Sequence, residues 1–327
     1  MSLLTVDSLK TYYETLAGQV RAVDNVSFKV MKGEALGLAG ESGCGKSTVA
    51  HTILRLLPSN AKIIDGRIEL EGIDLLSLND REMRQRIRWK RISFIPQGAM
   101  NSLTPVFKIG DQIAEAMLAH ESISKEEAAD RSSRLLSLVG IDPSRNMSYP
   151  HELSGGMKQR VMIAMALACN PDLVIADEPT TALDVVVQAQ VHRLLKDLQD
   201  RLKLSLVLIS HDLSVVSEIC DRIAIMYAGE IVESGLTREI FREPLHPYTV
   251  GLLNAFPEID GEKRRLKAIP GFPPNLLRPP PACRFHLRCP IARTICSEKH
   301  PLLEEKSQTR FAACHFAGEQ QLEKRIS

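Results

Sequence analysis

Leu153-Ser154-Gly155-Gly156-Met157-Lys158-Gln159-Arg160 is the stretch whose reading decides the fold of this 327-residue chain. Upstream lies Gly40-Glu41-Ser42-Gly43-Cys44-Gly45-Lys46-Ser47, and just downstream lies Leu173-Val174-Ile175-Ala176-Asp177-Glu178. Ser154-Gly155-Gly156 opens a helical run through Val161 to Ala168, so its free N–H groups and positive dipole end form an anion site. In a single copy that site has nothing to bind, because the glycine loop already grips the other side of a nucleotide.

The glycine loop follows the apolar run Ala35-Leu36-Gly37-Leu38-Ala39 and obeys the strict pattern G-x4-G-K-S. Gly40, Gly43 and Gly45 let backbone N–H groups wrap phosphates without Cβ clashes. Lys46 reaches the β- and γ-phosphates, and the Ser47 hydroxyl ligates Mg²⁺. Cys44 sits inside this loop as a small tolerated side chain; a reactive thiol is the alternative. Asp177 ends an apolar strand, where the carboxyl edge of a parallel sheet meets its ligand.

Outward from these motifs the pattern alternates between strand and helix. Val23, Val26, Phe28 and Val30 read as a strand, and Ser47 opens a helix that Pro58 stops after Leu57. Ile92 to Gln97 is a further buried strand. From Ile109 to Ala168 the spacing is helical, with a break at Asp142-Pro143. Leu173–Ala176, Leu204–Ile209 and Arg222–Met226 are short apolar strands. The expected fold class is α/β, with a mainly parallel sheet covered on both faces. No internal repeat is visible, so one unit of this kind is expected per chain.

In this order the glycine loop, LSGG and Asp-Glu resemble the ATP-binding cassette (ABC) ATPases. The resemblance implies a P-loop core sheet plus a helical subdomain over about 98–165, and a catalytic Glu178 that polarises the attacking water. Gln97 matches the glutamine that touches Mg²⁺ and water, and His211 the switch histidine at the γ-phosphate. It also implies that Asp177 holds Mg²⁺ with Ser47 and Gln97, and that Ser42, Cys44 and Thr48 belong to the ATP-binding loop. Tyr13 aligns with the aromatic that stacks on adenine, with the adjacent Tyr12 as the alternative. Asp184 lies in the segment that crosses the dimer seam, and Ser154, Gly155 and Gly156 cap the γ-phosphate held by the other copy. ATP binding then closes the dimer.

Further matches narrow the resemblance. Gln97 to Pro105 reads QGAMNSLTP, and His246 to Leu253 reads HPYTVGLL. Both are similar to segments of the dipeptide and oligopeptide importer ATPases, as is the tail from Gly271 to Cys296. Ala282 stands where glycine is usual, and Gly98-Ala99 where an acidic-proline pair is common. Residues 1–256 are expected to form the ATPase domain, and 257–327 a proline-rich linker with a cysteine-rich, metal-binding extension.

The tail cysteines Cys283, Cys289, Cys296 and Cys314 are separated by x5, x6 and x17. Structural zinc sites pinch cysteines in C-x2–4-C knuckles, and none exists here. Wider spacing suits an iron–sulfur cluster, and the family implies [4Fe–4S]; structural Zn²⁺ and free thiols remain the alternatives. The tail is too short to fold unaided. Its metal is expected to be separate from the ATP site, so that losing it spares nucleotide binding.

Bulk properties restrict the partners. The formal net charge is only +1, which disfavours nucleic acid and with it a tail acting as a zinc module with Lys263-Arg264-Arg265-Leu266-Lys267 as a basic arm. Met1 to Asp7 is too short and too early in acid for a signal peptide. The longest apolar run, Val161 to Cys169, is about half of what a spanning helix needs. The expected location is the cytoplasmic face of the membrane, as a peripheral subunit. The family implies a second, paralogous ATPase subunit, two transmembrane permease subunits and an extracytoplasmic solute-binding protein. Di- and oligopeptides are the expected solutes, with oligosaccharides or nickel chelates as alternatives. A soluble ABC ATPase of DNA repair or translation predicts a long coiled coil after Gln97 or two cassettes, and neither is present. Met100, Leu103, Pro105 and Val106 are candidates for the permease groove, or simply pack the subdomain.

Overall fold

The computed structural model describes residues 2–98, 101–255 and 269–319. The basic arm, Ala99, Met100 and the expected boundary at 256/257 lie outside them. The strands are β1 (Ser2–Thr15), β2 (Gly18–Met31), β3 (Ala35–Ala39), β4 (Ala61–Leu70), β5 (Ile73–Asp74) and β6 (Ile92–Ile95). They continue as β7 (Leu173–Asp177), β8 (Ser205–Ser210), β9 (Arg222–Tyr227), β10 (Glu230–Leu236), β11 (Glu304–Ser307) and β12 (Arg310–Ala312). The helices are α1 (Lys46–Ile53), α2 (Asp80–Glu82), α3 (Ile109–His120), α4 (Lys125–Leu138) and α5 (Gly155–Ala166). After them come α6 (Val185–Leu202), α7 (Leu213–Ile219), α8 (Thr237–Arg242), α9 (Pro247–Asn254) and α10 (Thr294–Glu298).

Two compact units result, one built mainly on residues 76–208 and the other on 2–30, 36–75 and 209–319. In the first, the strand order is β8-β7-β6, with β6 and β7 parallel. Its helical part is α3 to α5. Ile109, Ile113 and Met117 of α3 are buried with Ala128 and Leu136 of α4 and Val161 and Ile163 of α5. Arg131 and Arg160 tie the helices by donating to the carbonyls of Ala168 at 2.9 Å and Val139 at 3.0 Å. Both carbonyls lie at helix C-terminal ends, where a cation satisfies orphan acceptors.

In the second unit, β2-β1-β4-β5 form an antiparallel sheet with Leu3, Leu4, Val6, Leu9, Val23, Val26 and Ile68 in its core. Its other sheet runs β11-β12-β10-β9-β3. Here β3 and β9 are parallel, while β9-β10, β10-β12 and β11-β12 are antiparallel. The sheet that holds β3 and β9 is therefore mixed and the other antiparallel, rather than one mainly parallel sheet. The tail does not stand apart, because β12 pairs with β10 through Glu233–Ala312 and Ser234–Phe311. A short segment without its own core gains backbone partners and buried area by extending an existing sheet.

Candidate functional site

The glycine loop closes against backbone rather than side chains. A Cβ on Gly40 would stand 2.1 Å from the Met226 carbonyl, and one on Gly45 2.0 Å from that of Ala22. Both have positive φ, +152° and +106°, so side chains are excluded twice over. Gly45 precedes α1, and Lys46, almost fully buried, donates to the carbonyls of Gly40 at 2.8 Å and Glu41 at 2.9 Å. Its amine is thus parked inside the loop that phosphates would fill. Burial pushes the Cys44 thiol up against the opposing pull of Lys46; it is 5% exposed, an environment in which a thiol is inert. Ser42 and Gly43 are exposed, and Ser47 is half-buried.

Tyr13 and Tyr12 part company. The Tyr13 hydroxyl lies 3.3 Å from that of Thr48 in α1. Tyr12 donates to Asp24 at 2.7 Å, and burial followed by that bond pushes its phenol up to about 12. Asp24 also pairs with Arg284. Tyr12 is therefore committed to the tail, and Tyr13 to the phosphate loop's helix. His211 is exposed just beyond β8.

In the other unit, Gln97 donates its amide to Glu178 Oε2 at 3.0 Å. Glu178 sits at φ +44°, a conformation that costs a non-glycine residue on the order of 1 kcal/mol and marks functional positions. Thr181 braces it, its hydroxyl donating to the Glu178 carbonyl at 3.1 Å and carboxylate at 3.2 Å. Thr181 was not singled out from sequence, although it stands only three residues on. Asp177 ends β7, 2% exposed.

Ser154 caps α5 by accepting from the Met157 N–H at 3.3 Å, and Asp184 caps α6 by accepting from the Val187 N–H at 3.0 Å. The two first turns touch: a Cβ on Gly156 would meet Val187 Cγ1 at 2.5 Å. Gly155 beside it is half-buried. The glycine lets α5 and α6 approach, so the LSGG and Asp184 segments are held as one piece. Of the groove candidates, Leu103 is buried and packs the subdomain, whereas Pro105 and Val106 are exposed. Phe107 and Met147, neither read from sequence, are also exposed apolar residues of this unit.

Cys283, Cys289, Cys296 and Cys314 line one cavity of about 10 Å³, with Phe285, His286 and His315, roughly the room of one water. Burial pushes Cys283 to about 11 and Cys289 to about 12, opposed by backbone hydrogen bonds from Phe285 and Ile291 and helped to a smaller degree by the neighbouring thiols. Among the described residues, no group of three or more His, Cys, Asp or Glu is disposed to hold a metal ion. The donor set has the composition an iron–sulfur group needs, but its sulfurs are not drawn to ligand positions.

The profile of the ABC transporter family matches residues 23–181, and that of the oligopeptide/dipeptide transporter C-terminal region matches residues 232–296. The dipeptide transport ATP-binding protein DppD of Bacillus subtilis is 47% identical over 95% of this chain and 94% of its own length. The oligopeptide transport ATP-binding protein OppD of Escherichia coli is 46% identical, over 96% and 93%. Among solved structures, a dimeric post-hydrolysis state of the ATP-binding cassette MJ0796 bound to ADP and Pi is 29% identical. It covers 72% of this chain and 99% of its own, with a TM-score of 0.64. Motif geometry and near full-length similarity agree: the chain is an ABC ATPase and belongs to the family of ATP-binding proteins of dipeptide and oligopeptide transporters.

Proposed function

We propose that this chain is the ATP-hydrolysing subunit that drives uptake of di- or oligopeptides through a binding-protein-dependent importer. The observation that carries this is the pairing of a complete cassette with the transporter-specific C-terminal region. In this reading Lys46 and the loop from Gly40 to Thr48 take the phosphates. Ser47, Gln97 and Asp177 take Mg²⁺, Glu178 polarises water, His211 meets the γ-phosphate and Tyr13 stacks on adenine. Ser154, Gly155, Gly156 and Asp184 act on the nucleotide of a second ATPase subunit, a paralogue of this chain. No helix among the described residues is long and apolar enough to cross a membrane; in this reading two permease subunits form the path, and exposed Pro105, Val106 and Phe107 are offered to them. Docking there places the chain on the cytoplasmic face of the membrane. An extracytoplasmic binding protein supplies the solute.

The tail cysteines are assigned to a [4Fe–4S] cluster. Support comes from their convergence on one cavity and from the lack of zinc knuckles in their spacing. Bound there, the cluster supplies a covalent staple for the tail and favours the thiolate form of its ligands.

Reconstitution of this chain with its paralogue, both permeases and the binding protein in proteoliposomes tests the function. Labelled di- and tripeptides should accumulate at the expense of ATP. Accumulation of an oligosaccharide or a nickel chelate, with peptides excluded, would overturn the peptide assignment.

A further inference from the structure

Glu41 is the second residue of the glycine loop, and its carboxylate is held by Arg288 from the tail. The guanidinium donates to Glu41 Oε2 at 2.7 Å and Oε1 at 2.9 Å. It also donates to the Tyr227 hydroxyl at 3.3 Å and to the carbonyls of Pro270 at 2.9 Å and Ile269 at 3.4 Å. These contacts use every N–H of the guanidinium, which lies over the Tyr227 ring and is 8% exposed. Two-pronged pairs of this kind fix geometry as well as charge.

The same residue is anchored through its backbone. Its N–H donates to the Tyr248 hydroxyl at 2.9 Å, and its carbonyl accepts from Lys46. Tyr248, Tyr227 and Phe285 form one aromatic cluster, with ring centroids 4.5 to 5.4 Å apart. Arg288 directly precedes Cys289 and ends the turn His286–Arg288, which follows Phe285. A loop containing three positive-φ glycines has much conformational freedom to lose. When phosphates draw the Lys46 amine away from the Glu41 carbonyl, Arg288 and Tyr248 are the anchors that keep the loop in shape. Without Arg288 the loop would also carry a carboxylate that has lost this partner into the binding of an anionic ligand.

From these contacts we infer that Arg288 is a positioning residue for nucleotide: it holds Glu41 neutralised and in place, so the cysteine-bearing tail sets the affinity of the phosphate loop. The inference rests on the reading of Gly40 to Ser47 as that loop. It replaces the expectation that the tail is indifferent to nucleotide binding.

The test is equilibrium binding of ATP to the full chain, with melting recorded in parallel. Arg288→Ala should raise the Kd about tenfold, as expected if the competent loop falls to a tenth of the population. Arg288→Lys keeps the charge but not the fork, so it should fall between wild type and Arg288→Ala. Glu41→Gln should weaken binding less than Arg288→Ala, and adding it to Arg288→Ala should make the Kd no worse, because that charge is gone. A lowered melting temperature with unchanged Kd in Arg288→Ala and Arg288→Lys would overturn the inference, leaving Arg288 a structural clamp only. Multiplicative losses in the double variant would overturn it too, since the residues would then act independently. Lys46→Ala is the control: an unchanged Kd there would reject the phosphate-loop reading itself.

Discussion

Gln97 holds the carboxylate of Glu178 by a single amide hydrogen bond of 3.0 Å. Three residues on, Thr181 grips the same carboxylate and the backbone behind it. Two neutral donors thus orient this carboxylate. The Gln97 bond also joins the end of the β6 segment to the end of β7.

Glu178→Gln should therefore bind ATP as tightly as wild type but lose turnover by about 10²- to 10⁴-fold, the usual share of a general base. The amide preserves size and a hydrogen bond but cannot take a proton. Phosphate release from assembled transporter, measured beside nucleotide affinity, checks this. Wild-type turnover would remove Glu178 from the role of base.

The contact between Gly156 and Val187 gives a second expectation. Gly156→Ala forces a methyl into a space where only 2.5 Å separates it from Val187 Cγ1. Overpacking of that kind costs about 1 to 3 kcal/mol. Val187→Ala should restore much of the loss, because the two sites share one contact. Thermal or urea melting of the single and double variants reads the effect; simple additivity would mean the helices do not depend on this contact.

Tyr13 and Tyr12 are separated by what their hydroxyls reach. Tyr13→Ala should weaken ATP binding by about 1 to 3 kcal/mol, the range of a base stacked on an aromatic ring. Tyr12→Phe should instead remove a phenol that titrates near 12. The sign follows from burial first and the bond second: both favour the neutral phenol, which donates to Asp24, so the native chain keeps its proton above the ordinary value of about 10. Between those values the native state binds more protons than the unfolded one, and stability falls as pH rises. Absorbance titration at alkaline pH, compared between wild type and Tyr12→Phe, shows the component. A midpoint near 10 would show that neither the burial of Tyr12 nor its bond to Asp24 persists in solution.

Contiguous motifs were legible because their chemistry is local. A loop that must wrap phosphate needs glycine at fixed offsets, and a strand that ends in Asp-Glu is apolar up to that point. The strand β4 was not read, since much of it is exposed and it carries no clean alternation. The first helix was read to Leu57 but stops at Ile53, where Arg55 turns to φ +51° before Pro58. Arg288 and Glu41 stand 247 residues apart, and no spacing rule announces a pair so distant. The same holds for Arg284 with Asp24 and Glu230, and for Arg310 with Glu233. These buried pairs bind the tail to the body, and its composition alone suggested a separate module.

The last expectation concerns the metal. Protein purified without oxygen should be brown, with broad thiolate-to-iron absorption and about four irons per chain. Cys289→Ser should bleach the colour and lower the melting temperature of the tail, which has little apolar core to hold it otherwise. Because Arg288 is the neighbouring residue and grips Glu41, the same variant should also weaken ATP binding, whereas a tail indifferent to the loop would leave it intact. Iron content, visible spectra and ATP affinity measured on one preparation separate these outcomes. One zinc per chain and no iron, in protein made anaerobically, would replace the cluster with a structural zinc. Metal-free protein with an ordered tail would overturn both, for the aromatic cluster and the arginine pairs would then suffice to hold it.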